Sequence, residues 1–177
     1  MKHSHCSYCG SAYTVTDWPR HCLSCNETTW RNPLPVVVVL VPIYESVYTP
    51  GVIVVRRGIQ PGLGLLAFPG GYLECDETWR EGGSRELREE TGIEIDPDSL
   101  VLQTVISSKT NSLLIFCEAP PQSISCTHKF VANYEVTELI SIEKPVELAF
   151  PSHTDVLRWY FDGTLSFSKK NTPSLKG

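Results

Sequence analysis

Gly71-Tyr72-Leu73-Glu74-Cys75-Asp76-Glu77 opens a stretch that runs through residues 78–84 into Arg85-Glu86-Leu87-Arg88-Glu89-Glu90-Thr91-Gly92-Ile93. From about Glu77 to Thr91 the residues are charged and numerous enough for four helical turns, and Gly92 stands where helices commonly stop. On that helix Glu86, Glu89 and Glu90 lie three and four residues apart, so they share a face on which like charges repel. A merely solvated face more often alternates sign. Clustered carboxylates make physical sense when a divalent cation occupies the space between them, because Mg²⁺ takes hard oxygen ligands and keeps several waters. Arg85 is four residues from both Glu81 and Glu89 and can pair with either, while Leu87 and Trp79 are expected to anchor the opposite face. Diphosphates arrive with metals that stabilise the attacking and leaving oxygens. Water is then the natural nucleophile, with one glutamate as general base and the others holding metal.

Upstream, Val36 to Ile43 is a near-continuous β-branched run, the pattern of a strand buried on both faces. Gly51 to Arg56 reads as its neighbour across a turn near Thr49-Pro50-Gly51, and a glycine-rich loop, Gly62 to Gly71, leads to the helix. Downstream, Ile93 to Ile95, Leu100 to Ile106 and Leu113 to Cys117 read as strands separated by turns at Asp96-Pro97-Asp98 and Lys109-Thr110-Asn111. A last helix is expected from Ser152 to Phe161, with Ser152 as its N-cap, before a polar tail, Ser168 to Gly177, that should fray.

Before the main run, two Cys-x2-Cys pairs, Cys6/Cys9 and Cys22/Cys25, offer four soft thiolates twelve residues apart, which suits tetrahedral Zn²⁺. Four cysteines close the coordination shell, so this zinc is expected to be structural. His3, His5 and His21 are read as exposed or as lying just behind the metal ligands, and Cys75, Cys117 and Cys126 as small, partly buried core residues without chemistry. Arg31-Asn32-Pro33-Leu34-Pro35 disfavours helix and marks a linker. The expected organisation is a zinc ribbon over 1–32, a main domain over 35–163 and a tail over 164–177.

The net charge is -5, and residues 1–32 carry only one excess positive charge, so the composition argues against a nucleic-acid partner. The longest apolar run is far short of a membrane span and no secretory h-region opens the chain. A cytoplasmic protein without membrane contact is expected. Ser152, His153 and Asp155 are close in sequence, but no nucleophile elbow surrounds them and a serine hydrolase is rejected.

The spacing G-x5-E-x7-R-E-apolar-x-E-E-x-G-apolar, met at Gly71, Glu77, Arg85, Glu86, Leu87, Glu89, Glu90, Gly92 and Ile93, resembles the signature of the Nudix hydrolases. The resemblance implies a mixed-sheet α/β/α sandwich behind a small zinc ribbon. It also implies Mg²⁺ or Mn²⁺ at Glu86, Glu89, Glu90 and the Gly71 carbonyl, with Arg85 beside them. Such enzymes hydrolyse a diphosphate linkage in a nucleoside diphosphate joined to another moiety and often form homodimers. Within the family the chain is similar to zinc-ribbon members that resemble FAD or ADP-ribose pyrophosphatases, through Arg56-Arg57-Gly58-Ile59-Gln60-Pro61, Pro69-Gly70-Gly71-Tyr72-Leu73-Glu74 and Leu148-Ala149-Phe150. It lacks the SQPWPFPxS motif of the NADH pyrophosphatases. Leu66 stands where many relatives carry Trp, and Gly82-Gly83 where alanine is usual, each glycine costing about 1 kcal/mol of helix propensity.

The resemblance further implies a late glutamate as general base or extra ligand, for which Glu138 and Glu135 are the candidates; the bland alternative is a solvated glutamate leading into a short helix. Arg56 and Arg57 are candidate phosphate ligands, of which strand alternation points only one toward the site. The expected function is hydrolysis of a small-molecule nucleotide substrate such as FAD, ADP-ribose or an NADH-like compound, releasing a nucleoside monophosphate. The competing class is a catalytically silent nucleotide-sensing regulator or binding protein.

Overall fold

The computed structural model describes residues 3–44 and 50–164. The chain divides into two compact units, Met1–Leu34 and Pro35–Gly177. The first holds a two-stranded antiparallel ribbon, β1 (Arg20–His21) and β2 (Thr28–Thr29).

In the second unit the apolar run is divided into β3 (Leu34–Leu40) and β4 (Pro42–Tyr44), which join different sheets. One sheet has the order β10-β4-β5-β11, built from β4, β5 (Pro50–Arg57), β10 (Gln122–Ser123) and β11 (Val136–Ile142), with β6 (Leu66–Ala67) also pairing to β5. It is mixed, because β10 runs parallel to β4 while β4, β11 and β6 are antiparallel to β5. The other has the order β7-β3-β9-β8, with β7 (Gly70–Tyr72), β8 (Val101–Ser107) and β9 (Ser112–Glu118). Two helices, α1 (Trp79–Thr91) and α2 (Pro151–Phe161), complete the described elements, with 3-10 turns at Pro97–Ser99 and Ile124–Lys129.

The period-2 geometry of strands explains how the sheets come to lie between the helices. Val37, Val39, Val41 and Ile43 point with Ile53 to the side covered by Leu87 and Trp79 of α1. Val38 and Leu40 point with Val52 and Val54 to the side covered by Val156, Leu157, Tyr160 and Phe161 of α2. Two cores thus lie on opposite faces of the strands, and the result is the α/β/α sandwich expected of the Nudix resemblance.

Several local expectations are corrected. Residues 93–95 form no strand: Ile93 and Ile95 pack in coil beneath α1, where Ser84 Oγ donates to the Ile95 carbonyl. α2 begins one residue earlier than expected and its N-cap is Phe150, because Pro151 supplies the first helical φ without needing a donor partner; Ser152 caps nothing. The segment after Glu135 is strand β11 and not a short helix. β5 starts at Pro50, one residue before the expected strand start at Gly51, and Cys75 is exposed and not part of a core. Thr49 and the tail from residue 165 onward lie outside the described residues.

Candidate functional site

The glutamate helix is fixed at both ends by its own sequence. Thr78 and Glu81 form a capping box, with Thr78 Oγ1 accepting from the Glu81 N–H at 3.2 Å and Glu81 Oε2 accepting from the Thr78 N–H at 2.7 Å. Gly92 closes the helix at φ 73°, a left-handed conformation that suits glycine. Glu81 is therefore committed to the cap, and Arg85 pairs elsewhere. Its guanidinium grips Glu77 with two bonds of 3.0 and 2.7 Å, reaches Glu86 at 2.9 Å and Glu89 at 3.3 Å, and donates to the Tyr72 carbonyl at 3.1 Å. The bidentate bond to Arg85 holds the Glu77 carboxyl below the usual range, and the same bond raises Arg85.

Glu86 and Glu90, one turn apart, face β7. A Cβ on Gly71 would fall on the Glu86 carboxylate, so a larger residue there would push that carboxylate from its present position. Glu90 is 8% exposed, and its Oε2 accepts from the Gly70 N–H at 2.9 Å. Burial pushes the Glu90 carboxyl up to about 8, with Glu86 and Glu135 adding repulsion against the Gly70 bond. Burial likewise raises Glu86, with Arg85 opposing. Two desolvated carboxylates that repel each other are hard oxygen donors that suit a divalent cation. Glu89 stands apart: its side chain is 52% exposed and pairs with Arg85. The three glutamates therefore do not converge as closely as the sequence spacing suggested.

Glu86, Glu90, Gly70 and Gly71 line a cleft of about 900 Å³. Arg57 and Glu135 also line it, whereas Arg56 and Glu138 do not. Strand alternation separates the two arginines, and a bulge in β11 between Val136 and Glu138 sets Glu138 opposite Arg56. These two form an exposed ion pair at 2.7 Å, and Arg56 also donates to the Gly64 carbonyl at 2.9 Å. Arg57 is held by the Pro61 carbonyl at 2.7 Å and lies 5.1 Å over the Phe150 ring. The same cleft is lined by the apolar Phe68, Ile106, Leu114, Phe150 and Trp159 and by polar side chains such as Ser108, Ser112 and Asp155. Among the apolar side chains, sequence reasoning singled out Phe150 only within a family phrase and read Trp159 as facing a core, whereas Trp159 is 37% exposed and lines the cleft; an aromatic beside Pro151 at a helix start was the available signal.

In the first unit the Sγ atoms of Cys6, Cys9, Cys22 and Cys25 lie within 4.8 Å of one another. Cys6 and Cys25 are 3.7 Å apart and Cys9 and Cys22 3.6 Å apart. A tetrahedron with Zn–S bonds of about 2.3 Å has edges of about 3.8 Å, so the cluster is compatible with zinc. Among the described residues it is the only group of three or more His, Cys, Asp or Glu gathered this tightly.

The NUDIX domain family matches residues 33–161, most of the chain, and the chain belongs to that family. It is similar to the NAD-capped RNA hydrolase NudC of Enterobacter sp. (strain 638), 30% identical over 95 residues that cover 52% of this chain and 34% of that protein. The corresponding protein of Salmonella heidelberg (strain SL476) is 27% identical, with 52% and 35% covered. The match thus spans about a third of the length of these relatives. Among solved structures, a NUDIX hydrolase from Nitrosomonas europaea aligns with a TM-score of 0.64 at 22% identity over 90% of each chain. The NUDIX domain of Shewanella oneidensis NrtR, crystallised with ADP ribose, aligns with a TM-score of 0.63 at 20% identity, covering 76% of this chain and 90% of that one. At such identities the likeness shows the fold. No helix among the described residues is long and apolar enough to cross a membrane.

Proposed function

We propose that this chain hydrolyses the diphosphate linkage of a nucleoside diphosphate joined to another moiety and releases a nucleoside monophosphate. The observation that carries the reading is the pairing of two desolvated glutamates with the Gly70-Gly71 backbone in a cleft that aromatic side chains also line. Glu86, Glu90 and the Gly71 carbonyl would hold Mg²⁺ or Mn²⁺, with Glu89 as a further ligand. When bound, the cation neutralises charge on the phosphoryl oxygens.

The protein's own residues have separable tasks. Arg85 orients Glu86 and, through Glu77, the start of the helix. Arg57 offers its guanidinium to a phosphate from the cleft wall. Glu135 accepts the proton of the attacking water, a role for which its place in the cleft favours it over Glu138. The water oxygen bonds to phosphorus, the bridging P–O bond breaks, and the bridging oxygen leaves on the second phosphate. Zn²⁺ at Cys6, Cys9, Cys22 and Cys25 holds the first unit together and takes no part in the reaction.

FAD, ADP-ribose and NADH-like compounds fit this chemistry, and the names of the NudC relatives add NAD-capped RNA. A panel of these compounds and nucleoside triphosphates, incubated with Mg²⁺ and analysed by mass spectrometry, tests the proposal. A nucleoside monophosphate should appear from at least one compound, and Glu86→Gln should reduce its rate at least 100-fold. Cleavage that survives Glu86→Gln, or binding without cleavage of any compound, refutes it, and the latter would favour a nucleotide sensor.

A further inference from the structure

His153 has no task in the reaction above, yet its setting is specific. Its ring is 6% exposed and packed among Phe68, Phe116 and Phe150, with centroids 5.7, 5.4 and 5.0 Å away. Nδ1 accepts from the Phe68 N–H at 3.3 Å. An accepting Nδ1 carries no proton, so a neutral ring carries its proton on Nε2. Burial lowers the imidazole pKa to about 3, which keeps the ring neutral in ordinary solution.

Nε2 then needs an acceptor. No other hydrogen bond to this ring exists among the described residues, and none of their buried side-chain nitrogens or oxygens lacks a partner. Nε2 must therefore reach open space. The space that His153 lines is the cleft, whose lining also includes Phe68, Phe150, Ile106, Leu114 and Trp159.

We propose that the cleft holds a planar heteroaromatic ring beside His153 and that His153 Nε2–H donates to an unprotonated ring nitrogen or carbonyl oxygen on it. This inference rests on the cleft being the substrate site. The aromatic side chains of Phe68, Phe150 and Trp159 offer flat apolar surface, and a purely aliphatic group would leave the donor unmet once water is displaced. A flat ring with one acceptor satisfies both the walls and the donor. A site built around such a donor discriminates strongly against ligands that lack the acceptor.

The test uses the zinc-loaded full chain without added divalent metal, titrated by calorimetry with AMP, FMN and ribose 5-phosphate. His153→Asn keeps an oxygen near Nδ1 for the Phe68 N–H but has nothing at the Nε2 position. The wild-type protein should bind at least one ring-bearing probe tenfold or more tightly than ribose 5-phosphate. His153→Asn should lose about tenfold for that probe and leave ribose 5-phosphate unchanged, as expected for one hydrogen bond to a buried donor. Equal affinity for ring and sugar probes, no loss in the variant, or the same loss for every probe overturns the inference. If His153→Asn does not fold, His153→Gln, whose amide extends to the Nε2 position, is read instead and must keep the preference for the ring. Because no cleavage is needed, a protein that shows this binding pattern but hydrolyses nothing sinks only the hydrolase reading.

Discussion

Gly83→Ala sets two effects of known size against each other. In an exposed helix interior the change would gain about 1 kcal/mol of propensity. Here the added Cβ would stand 2.9 Å from Leu100 Cδ1 and 3.2 Å from Val37 Cγ2. Leu100 is 1% exposed and Val37 0%, so neither can swing into solvent. Overpacking of this kind costs about 1–3 kcal/mol, which exceeds the propensity gain, and a net loss of about 1 kcal/mol is expected. For a unit of this size that is a fall of about 2–4 °C in the midpoint followed by circular dichroism at fixed zinc. The cycle with Leu100→Val identifies the cause, because removing Cδ1 should make Gly83→Ala about 1 kcal/mol less costly in that background. A higher midpoint for Gly83→Ala, or a cycle with no coupling, would refute the account of why glycine stands in this helix.

Between pH 6.5 and 3 the unfolded chain protonates His153 while the folded chain does not, because burial lowers its pKa to about 3. Stability present above pH 6.5 is therefore lost as pH falls, by about 1.4 kcal/mol per unit, and His153→Asn should lose about 2 kcal/mol less than wild type between pH 6.5 and 5 in urea titrations; parallel losses would count against a buried neutral ring. Glu138→Ala removes an exposed ion pair worth about 0–1 kcal/mol and should leave turnover within about twofold, whereas Glu135→Gln should lower it about 100-fold or more; the reverse order, read from initial rates, would return the general base to Glu138. A zinc chelator should release one Zn²⁺ per chain and unfold the ribbon of the first unit; full retention of the ribbon's circular dichroism after metal loss would contradict a structural role.

What the sequence made legible was whatever a short period or a fixed spacing encodes. The β-branched run from Val36 announced burial on both faces, and the alternation of Val37 and Val38 between two cores realises that, but the run is two strands, β3 and β4, in different sheets and not the single strand expected. The four cysteines and the helix stop at Gly92 were equally plain. Less legible was anything set by partners distant in sequence. Ile93 to Ile95 has the composition of a strand, but no strand is available to pair with it beneath α1, and burial in coil wins. The choice between Glu135 and Glu138 depends on a β-bulge in β11, which no local pattern in Tyr134-Glu135-Val136-Thr137-Glu138 discloses. His153 was visible only as a rejected catalytic residue, since its role depends on the Phe68 N–H 85 residues away.

The glycines tie packing to chemistry more closely than either reading alone suggests. Gly82 and Gly83 let α1 settle against Leu73, Val37 and Leu100, and Gly71 lets β7 lie against the Glu86 carboxylate. That close approach strips water from Glu86 and Glu90, which is the first cause of their raised pKa values. A helix held further out by alanines would gain propensity but leave both carboxylates better hydrated, and so less in need of a cation. Gly82→Ala would act on the site more directly, because its Cβ would stand 2.8 Å from Glu77 Oε1, the oxygen that Arg85 and the Glu74 N–H share. Displacing Glu77 would free Arg85, which also bonds Glu86 and Glu89, so a substitution on the buried face of α1 would reach the carboxylates through one guanidinium. The helix is thus spaced for its charges as much as for its core.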